Sequence, residues 1–265
     1  MQLCHVVPKD SLGLSCLGDF DFCLAHLALT DENYKRFFIN CIKRGREVYL
    51  DNGVWETGFP LEPHVMIQLA VEMHPTYVYA SDYMNDSARS IEAAWLFGEE
   101  SSKNEEFASK IICVAQGKTR NDWFYCIEEY SQFPPVYCDT IAVNTLFLDD
   151  MFEYEKEEGA RRSKTRLSFL IDVQHQLDRF KHKRFYATGF GAAIDAKELT
   201  TFPFITGVDT AIACAMAKEG KLITYENSNF YKPKVKVDKL ELDEYEEKLA
   251  ILNMKRLNTW AKGGE

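Results

Sequence analysis

The sequence has no long hydrophobic run and no leader-like start. No stretch reaches the roughly 18 to 20 apolar residues that a membrane-spanning helix needs, so we expect no transmembrane segment. The start of the chain lacks the basic, apolar and small-residue regions of a signal peptide. We therefore expect a soluble, unprocessed protein that does not contact a membrane.

The sequence also lacks any C-x-x-C pair, although it contains eight cysteines. Several of these cysteines lie inside apolar runs, where a free thiol behaves as a small hydrophobic group. The pattern predicts free thiols in a reducing cytoplasm and disfavours both a disulfide framework and a structural zinc site.

Acidic residues outnumber basic ones, 41 to 31, and give the chain a net charge of −10. Nucleic-acid proteins usually carry a basic surface, so this balance argues against nucleic acid unless the charge is unevenly distributed. It is uneven: Asp149–Glu158 carries six acids and one lysine, Gly159–Arg184 carries eight basic residues and two acids, and Tyr231–Lys239 contains four lysines. These basic stretches predict either solvated helix faces or a strip that contacts phosphates, and the sequence leaves both open.

Short apolar runs alternate with segments of helical periodicity along the chain. Strands are predicted at Asp21–Leu29, Glu47–Leu50, Thr76–Ala80, Lys110–Ala115, Thr140–Val143, Arg184–Thr188 and Phe204–Val208, with an eighth at Lys221–Tyr225. Helices are predicted at Asp31–Lys43, Leu61–His74, Ser87–Phe107 with a break at Gly98, Asn121–Gln132 with Asn121 as cap, along a stripe from Leu167 to Phe180, and at Leu240–Trp260. This alternation predicts an α/β fold, a single (β/α)8 TIM-type barrel that forms one domain over residues 1–265.

Six of the runs end on a polar residue or a glycine, and in a barrel those ends share one face. The six ends are Leu50-Asp51, Ala80-Ser81-Asp82, Ala115-Gln116, Val143-Asn144, Thr188-Gly189 and Val208-Asp209. Two or three carboxylates, an amide and an indole on one face are typical of an active site.

Two of these ends allow a structural interpretation as well as a chemical one. Asp51-Asn52-Gly53-Val54-Trp55 places a carboxylate near an indole that could stack on a flat ring, or it forms a tight turn. Asp82 and Asp86 could accept hydrogen bonds from a guanine-like base, or Asp86 could cap the next helix.

Of the other ends, one carries an amide and one carries a third carboxylate. At Gln116-Gly117 an amide could meet a base carbonyl while the glycine lets the backbone approach. Asp209 has no basic neighbour in sequence, which favours a reactive role.

In this order and spacing, Leu50-Asp51-Asn52-Gly53, Ser81-Asp82, Val114-Ala115-Gln116-Gly117 and Gly207-Val208-Asp209-Thr210 resemble the tRNA-guanine transglycosylase superfamily. The resemblance is closest to its short phage-type branch, the DpdA-like 7-deazaguanine DNA transglycosylases. Leu24-Ala25-His26-Leu27 and Gly189-Phe190-Gly191 extend it over roughly residues 20 to 225. The family has a (β/α)8 barrel fold and exchanges guanine for a 7-deazaguanine base, such as a preQ0-like base, without cutting the sugar-phosphate backbone.

The resemblance implies a role for each matching residue. Asp51 would be a general acid/base and Asp209 the nucleophile that forms an aspartyl glycosyl-enzyme. In the tRNA enzymes the attacking carboxylate can also stand three positions later, where this chain has Ile212. Substrate-binding positions would be His26, Asn52, Gly53, Trp55, Asp82, Asp86, Gln116, Gly117, Asn144 and Gly189.

The zinc motif C-x-C-x-x-C of the tRNA-acting relatives is absent, which favours DNA over tRNA. The expected enzyme is thus a glycosyltransferase that needs no metal and no organic cofactor. Its expected partners are single-stranded or locally opened DNA and a 7-deazaguanine base, in the cytoplasm of a bacterial host if a phage encodes it. The alternatives are a tRNA-guanine transglycosylase-like enzyme, a catalytically silent barrel that binds bases or nucleic acid, and a hydrolytic glycosidase that uses the same two acids.

Overall fold

The computed structural model describes residues 1–144, 167–168, 170–180, 183–190, 192–229 and 236–264. The acidic stretch 149–158, Gly191 and much of both basic stretches lie outside the described residues. Among the described residues, no helix combines the length and apolar character required to cross a membrane. All eight cysteines are free thiols, and seven of them are buried.

Eight strands form one parallel sheet, and helices alternate with them in the (β/α)8 TIM-type fold that the sequence predicts. The strands are Gln2–His5 (β1), Asp21–Leu24 (β2), Val48–Asp51 (β3), Tyr77–Tyr79 (β4), Lys110–Ala115 (β5), Thr140–Asn144 (β6), Arg184–Thr188 (β7) and Ile205–Thr210 (β8). Their order in the sheet is β1-β8-β7-β6-β5-β4-β3-β2.

The α-helices include Ala25–Thr30 (α1), Glu32–Lys43 (α2), Val54–Thr57 (α3), Pro63–Met73 (α4), Ser87–Ser102 (α5), Arg120–Gln132 (α6), Leu177–Phe180 (α7), Asp195–Glu198 (α8), Ile212–Lys218 (α9) and Glu244–Ala261 (α10). Residues 170–175 are also helical. Short 3₁₀ segments occupy Lys9–Leu17, Leu199–Thr201 and Val237–Lys239.

The chain divides into two compact units. The first comprises Met1–Asp19, Thr145–Arg179 and Tyr186–Glu265, and the second comprises Phe20–Asn144 and Phe180–Phe185. In the first unit β1 pairs in parallel with β8. In the second unit β2 to β6 pair in parallel in chain order, and the ring of Tyr49 packs against Phe20 and Tyr77, with centroids 4.3 and 4.5 Å apart.

The predicted first strand, Asp21–Leu29, is too long. The strand ends at Leu24, opposite Asp51, because its partner β3 also ends there, and residues 25–30 are helical. The apolar run through Leu29 does not by itself distinguish a strand from a helix.

The predicted eighth strand at Lys221–Tyr225 is wrong, and the missing strand is Gln2–His5 at the start of the chain. Side chains of the last helix satisfy the backbone of this segment in place of a neighbouring strand. The amide oxygen of Asn253 accepts from the N–H of Ile223 at 2.7 Å, its amide nitrogen donates to the carbonyl of Lys221 at 3.1 Å, and Arg256 donates to the carbonyl of Ile223.

The predicted cap at Asn121 is also wrong by two residues. Thr119 caps α6: its hydroxyl accepts from the N–H of Asp122, whose carboxylate accepts from the N–H of Thr119. This reciprocal capping box satisfies two N–H groups at once, which a single asparagine cap does not do.

The predicted break at Gly98 is wrong as well, because α5 continues through it to Ser102. Gly98 instead allows close packing: a Cβ there would stand 2.5 Å from Cγ and 3.0 Å from Cα of Tyr137.

We predict that Gly98→Ala destabilises the protein, although alanine favours helices more than glycine does. The added methyl group would overlap Tyr137, and overpacking of this kind costs about 1 to 3 kcal/mol. Urea unfolding measures the change, with Gly13→Ala as the matched control, because a Cβ at Gly13 meets no atom within 4 Å. A Gly98→Ala variant as stable as the wild type would contradict this packing.

Candidate functional site

Three buried polar side chains meet where β3, β4 and β5 end. The amide nitrogen of Asn52 donates to one carboxylate oxygen of Asp82 at 2.6 Å, and the amide nitrogen of Gln116 donates to the other at 2.6 Å. Each of the three is at most 3% exposed. The structure therefore brings together three residues that the sequence predicts as substrate-binding, and we call them the Asp82 cluster.

The positions of these residues after their strands explain why they meet. Asn52 follows the last residue of β3, Asp82 comes three residues after β4, and Gln116 follows β5. Because the three strands are adjacent and parallel, their carboxyl ends lie at one edge of the sheet. Active sites of (β/α)8 enzymes are built at this edge.

Backbone groups fix the orientation of both amides in the Asp82 cluster. The amide oxygen of Asn52 accepts from the N–H of Val54 at 3.0 Å, and that of Gln116 accepts from the N–H of Asn85 at 3.1 Å. Since each oxygen is held by a donor, each nitrogen must face the carboxylate of Asp82. The amide nitrogen of Asn52 also donates to the carbonyl of Ala80 at 2.7 Å.

Burial changes the acidity of Asp82. Desolvation raises its pKa from 3.8 to about 6, and the hydrogen bonds from Asn52 and Gln116 oppose this rise. A carboxyl group with a pKa near 6 exchanges its proton close to neutral pH. Two neutral donors occupy one lone pair on each oxygen, so the carboxylate can accept further hydrogen bonds.

Asp51 directly precedes Asn52 of the Asp82 cluster and begins a tight turn. The Asp51 carboxylate accepts from the N–H of Gly53 at 2.8 Å, and Gly53 has a φ of 75°. A Cβ on Gly53 would stand 2.8 Å from Nδ1 of His26, so the imidazole lies directly against the turn. The turn interpretation of D-N-G is confirmed: Gly53 binds the Asp51 carboxylate through its N–H, and the His26 imidazole packs against Gly53. Trp55 follows in α3 and is 40% exposed.

Two predicted residues have structural roles. The Asp86 carboxylate accepts from the N–H of Arg89 at 3.1 Å and caps α5, so the capping interpretation is confirmed. A Cβ on Gly117 would stand 2.6 Å from the backbone nitrogen of Trp123. Gly117 therefore lets the chain pass close to α6. This packing explains the glycine without any need for a bound ligand.

In the other unit, Asp209 lies in β8 and is 8% exposed. The hydroxyl of Tyr186 donates to its Oδ1 at 2.9 Å, and the N–H of Gly189 approaches its Oδ2 at 3.3 Å. Gly189 has a φ of 62°, which a residue with a side chain rarely adopts. Two residues that the sequence predicts for the site, Asp209 and Gly189, are therefore in contact. Each oxygen of the Asp209 carboxylate accepts a hydrogen bond.

Tyr186 is a residue that the sequence analysis missed. Gly207 makes room for it, because a Cβ at position 207 would stand 3.3 Å from the ring. No signal in the sequence pairs Tyr186 with Asp209, because alternation within a strand does not show which residue of another strand it contacts. Asn144, predicted to bind substrate, is the half-buried last residue of β6. The position three residues after Asp209 is Ile212, a fully buried apolar side chain at the start of α9.

No protein-family model matches the chain, and no curated protein is significantly similar to it. Among the described residues, no group of three or more His, Cys, Asp or Glu side chains is arranged to hold a metal ion.

We predict that Asp82 makes stability depend on pH between about 4 and 6. Its pKa is higher in the folded protein than in the unfolded chain, so the folded state binds more protons in this window. As the pH rises through the window, this group therefore lowers the free energy of unfolding by about 3 kcal/mol. Above the window its contribution levels off.

The difference in unfolding free energy between wild type and Asp82→Asn isolates this effect, because other carboxylates titrate equally in both. We expect the variant to gain relative stability as the pH rises from 4 to 6. Parallel curves for the two proteins would show that Asp82 does not titrate in this window.

Proposed function

We propose that this chain exchanges guanine in DNA for a 7-deazaguanine base, through an aspartyl glycosyl-enzyme intermediate. The observation that carries the proposal is the Asp82 cluster, because it combines a hydrogen-bond acceptor and a donor in fixed orientation at strand ends. The resemblance of four sequence segments to the transglycosylase superfamily supports the same assignment.

The Asp82 cluster is complementary to the edge of guanine. Guanine presents two donors, N1–H and the 2-amino group, next to the acceptor O6, and a carboxylate can accept from both donors. The primary amide of Gln116 has two N–H groups, one of which is used by Asp82. In the proposed complex its second N–H donates to O6 while Asp82 accepts from the base.

Asp209 is the proposed nucleophile. Its carboxylate would attack C1′ as guanine leaves, so that a C1′–O bond forms while the glycosidic C1′–N9 bond breaks. The 7-deazaguanine base would then displace the aspartate, and two displacements would retain the configuration at C1′. The hydroxyl of Tyr186 and the N–H of Gly189 would hold the carboxylate in position for this attack.

Asp51 is the proposed general acid/base. It would protonate the departing guanine and then take the proton from N9 of the incoming base, so that proton balance is kept over the cycle. The N–H of Gly53 orients one of its oxygens, and the imidazole of His26 packs against the same turn. Trp55, which is partly exposed, supplies an indole face for a flat base.

The proposed substrate is DNA in which the target base is accessible. C1′ of a stacked nucleotide is shielded, so the base must leave the duplex at a cost of a few kcal/mol. Single-stranded or locally opened DNA avoids much of this cost and is the preferred substrate. Free thiols agree with a reducing cytoplasm as the place of action.

We predict that Asp209→Ala abolishes the exchange of labelled guanine out of DNA and that Asp51→Asn lowers its rate at least a hundredfold, the scale of general acid-base contributions. Asp86→Asn is the matched control, because asparagine caps a helix about as well as aspartate and should leave the rate within a fewfold of wild type.

Wild-type rates in Asp209→Ala or Asp51→Asn would remove that residue from the proposed mechanism. Release of free guanine into water without any incoming base would identify a hydrolytic glycosidase. No exchange and no release by the wild type would indicate a silent binding barrel.

We predict that selection of guanine improves as the pH rises through about 6. Only the ionised Asp82 can accept from both N1–H and the 2-amino group, and its pKa is raised to about 6 by burial. The measurement is the ratio of kcat/KM for guanine over hypoxanthine, which lacks the 2-amino group, so that effects of pH on the reacting carboxylates cancel. A ratio independent of pH between 5 and 8 would show that Asp82 does not contact the 2-amino group.

A further inference from the structure

A cleft lies in the unit that contains Asp209, and none of the residues proposed above for catalysis or base recognition lines it. It has a volume of about 470 Å³ and is lined by Lys197, Tyr225, Arg256 and Trp260. These side chains come from α8, from the segment 221–228 and from α10. Two cations and two aromatic rings line the cleft, and no acid lines it among the described residues.

Tyr225 offers a flat surface to solvent. Its side chain is 68% exposed, while Trp260, which also lines the cleft, is 4% exposed. The ammonium of Lys197 stands over the ring of Tyr225, 5.7 Å from its centroid. A cation on one face leaves the opposite face of the ring open to a stacked partner.

The segment that carries Tyr225 is held in place by buried hydrogen bonds. Asn253, fully buried, accepts from the N–H of Ile223 at 2.7 Å and donates to the carbonyl of Ala213 at 3.2 Å. The N–H of Ile194, just before α8, donates to the carbonyl of Ser228 at 3.0 Å. The aromatic ring therefore extends from an ordered support, so little conformational entropy is lost when a ligand stacks on it.

Arg256 supports the segment and keeps donors available. One of its terminal nitrogens donates to the carbonyl of Ile223 at 2.5 Å. A guanidinium has five N–H groups, so others remain to bind an anion. Together with Lys197 it makes this cleft a positively charged place on a chain whose net charge is −10.

We propose that this cleft binds one nucleotide unit of a single DNA strand, with a base stacked on Tyr225 and a phosphate neutralised by Lys197 and Arg256. An aromatic platform beside basic groups is the combination that binds single strands without sequence preference. The proposal deepens the proposed function and rests on it for the choice of DNA. The nucleotide bound in this cleft would be a different one from the nucleotide that reacts.

The test measures binding of a fluorescent single-stranded oligonucleotide that contains no guanine, so no exchange can occur. We expect the wild type to bind it, with an affinity that falls as salt rises, and Tyr225→Ala to weaken binding about tenfold, the scale of one stacked base. Lys197→Gln should also weaken binding and lower the salt slope by about 0.7, the value for one phosphate contact on a single strand.

The matched controls lie in α10, the helix that also carries Arg256 and Trp260. Tyr245→Ala removes a tyrosine that is 67% exposed, and Lys255→Gln removes an exposed lysine. Both should bind like wild type. Wild-type binding by Tyr225→Ala and Lys197→Gln, equal losses in the control variants, or no binding by the wild type would each overturn the proposal.

Competition by thymidine monophosphate identifies the source of the ligand. Displacement only at concentrations far above those of the oligonucleotide supports a strand as the ligand, whereas equal affinity supports a free nucleotide in the same cleft. Failure of the proposed function looks different: the wild type would bind the oligonucleotide through Tyr225 but incorporate no labelled base. Incorporation that does not depend on Tyr225 or Lys197, with unchanged binding, would remove this cleft and leave the proposed function standing.

Discussion

The hydrogen bonds between Asn52, Asp82 and Gln116 fix the ends of three neighbouring strands, and the account of function depends on them. Loss of either amide would leave a buried carboxylate oxygen without its donor, which costs about 1 to 3 kcal/mol or more for a charged group. Apolar side chains would fill such a site at no cost in desolvation. The carboxyl group of Asp82, with its pKa raised to about 6, instead provides hydrogen-bond acceptors and a proton that exchanges near neutral pH.

The fold was predictable where the chain alternates clearly, as at Lys110–Ala115 and Arg184–Thr188, whose bounds agree with the structure. It was not predictable where tertiary contacts decide. Lys221–Tyr225 has a strand-like composition, but side chains of the last helix satisfy its backbone. The short strand Gln2–His5 gains its conformation from pairing with β8, a partner about two hundred residues away. Gly98 suggested a break because its close neighbour, Tyr137, cannot be seen in the sequence.

The candidate site was predictable to the extent that it depends on strand ends. Asp82 and Gln116 follow apolar runs, and parallel pairing brings them together as expected. Their mutual hydrogen bonds, and the backbone donors that orient the amides, depend on loop conformations that composition does not encode. Tyr186 was missed because a buried aromatic in a strand is ordinarily core, and only the contact between its hydroxyl and Asp209 gives it a further role.

We propose that this chain replaces guanine in DNA by a 7-deazaguanine base. The most direct test is mass spectrometry of the nucleosides in DNA from cells that express the protein and are supplied with such a base. The account predicts a deazaguanine deoxynucleoside in that DNA, and none in cells that express Asp209→Ala. Unmodified DNA in the presence of folded wild-type protein and the supplied base would contradict it.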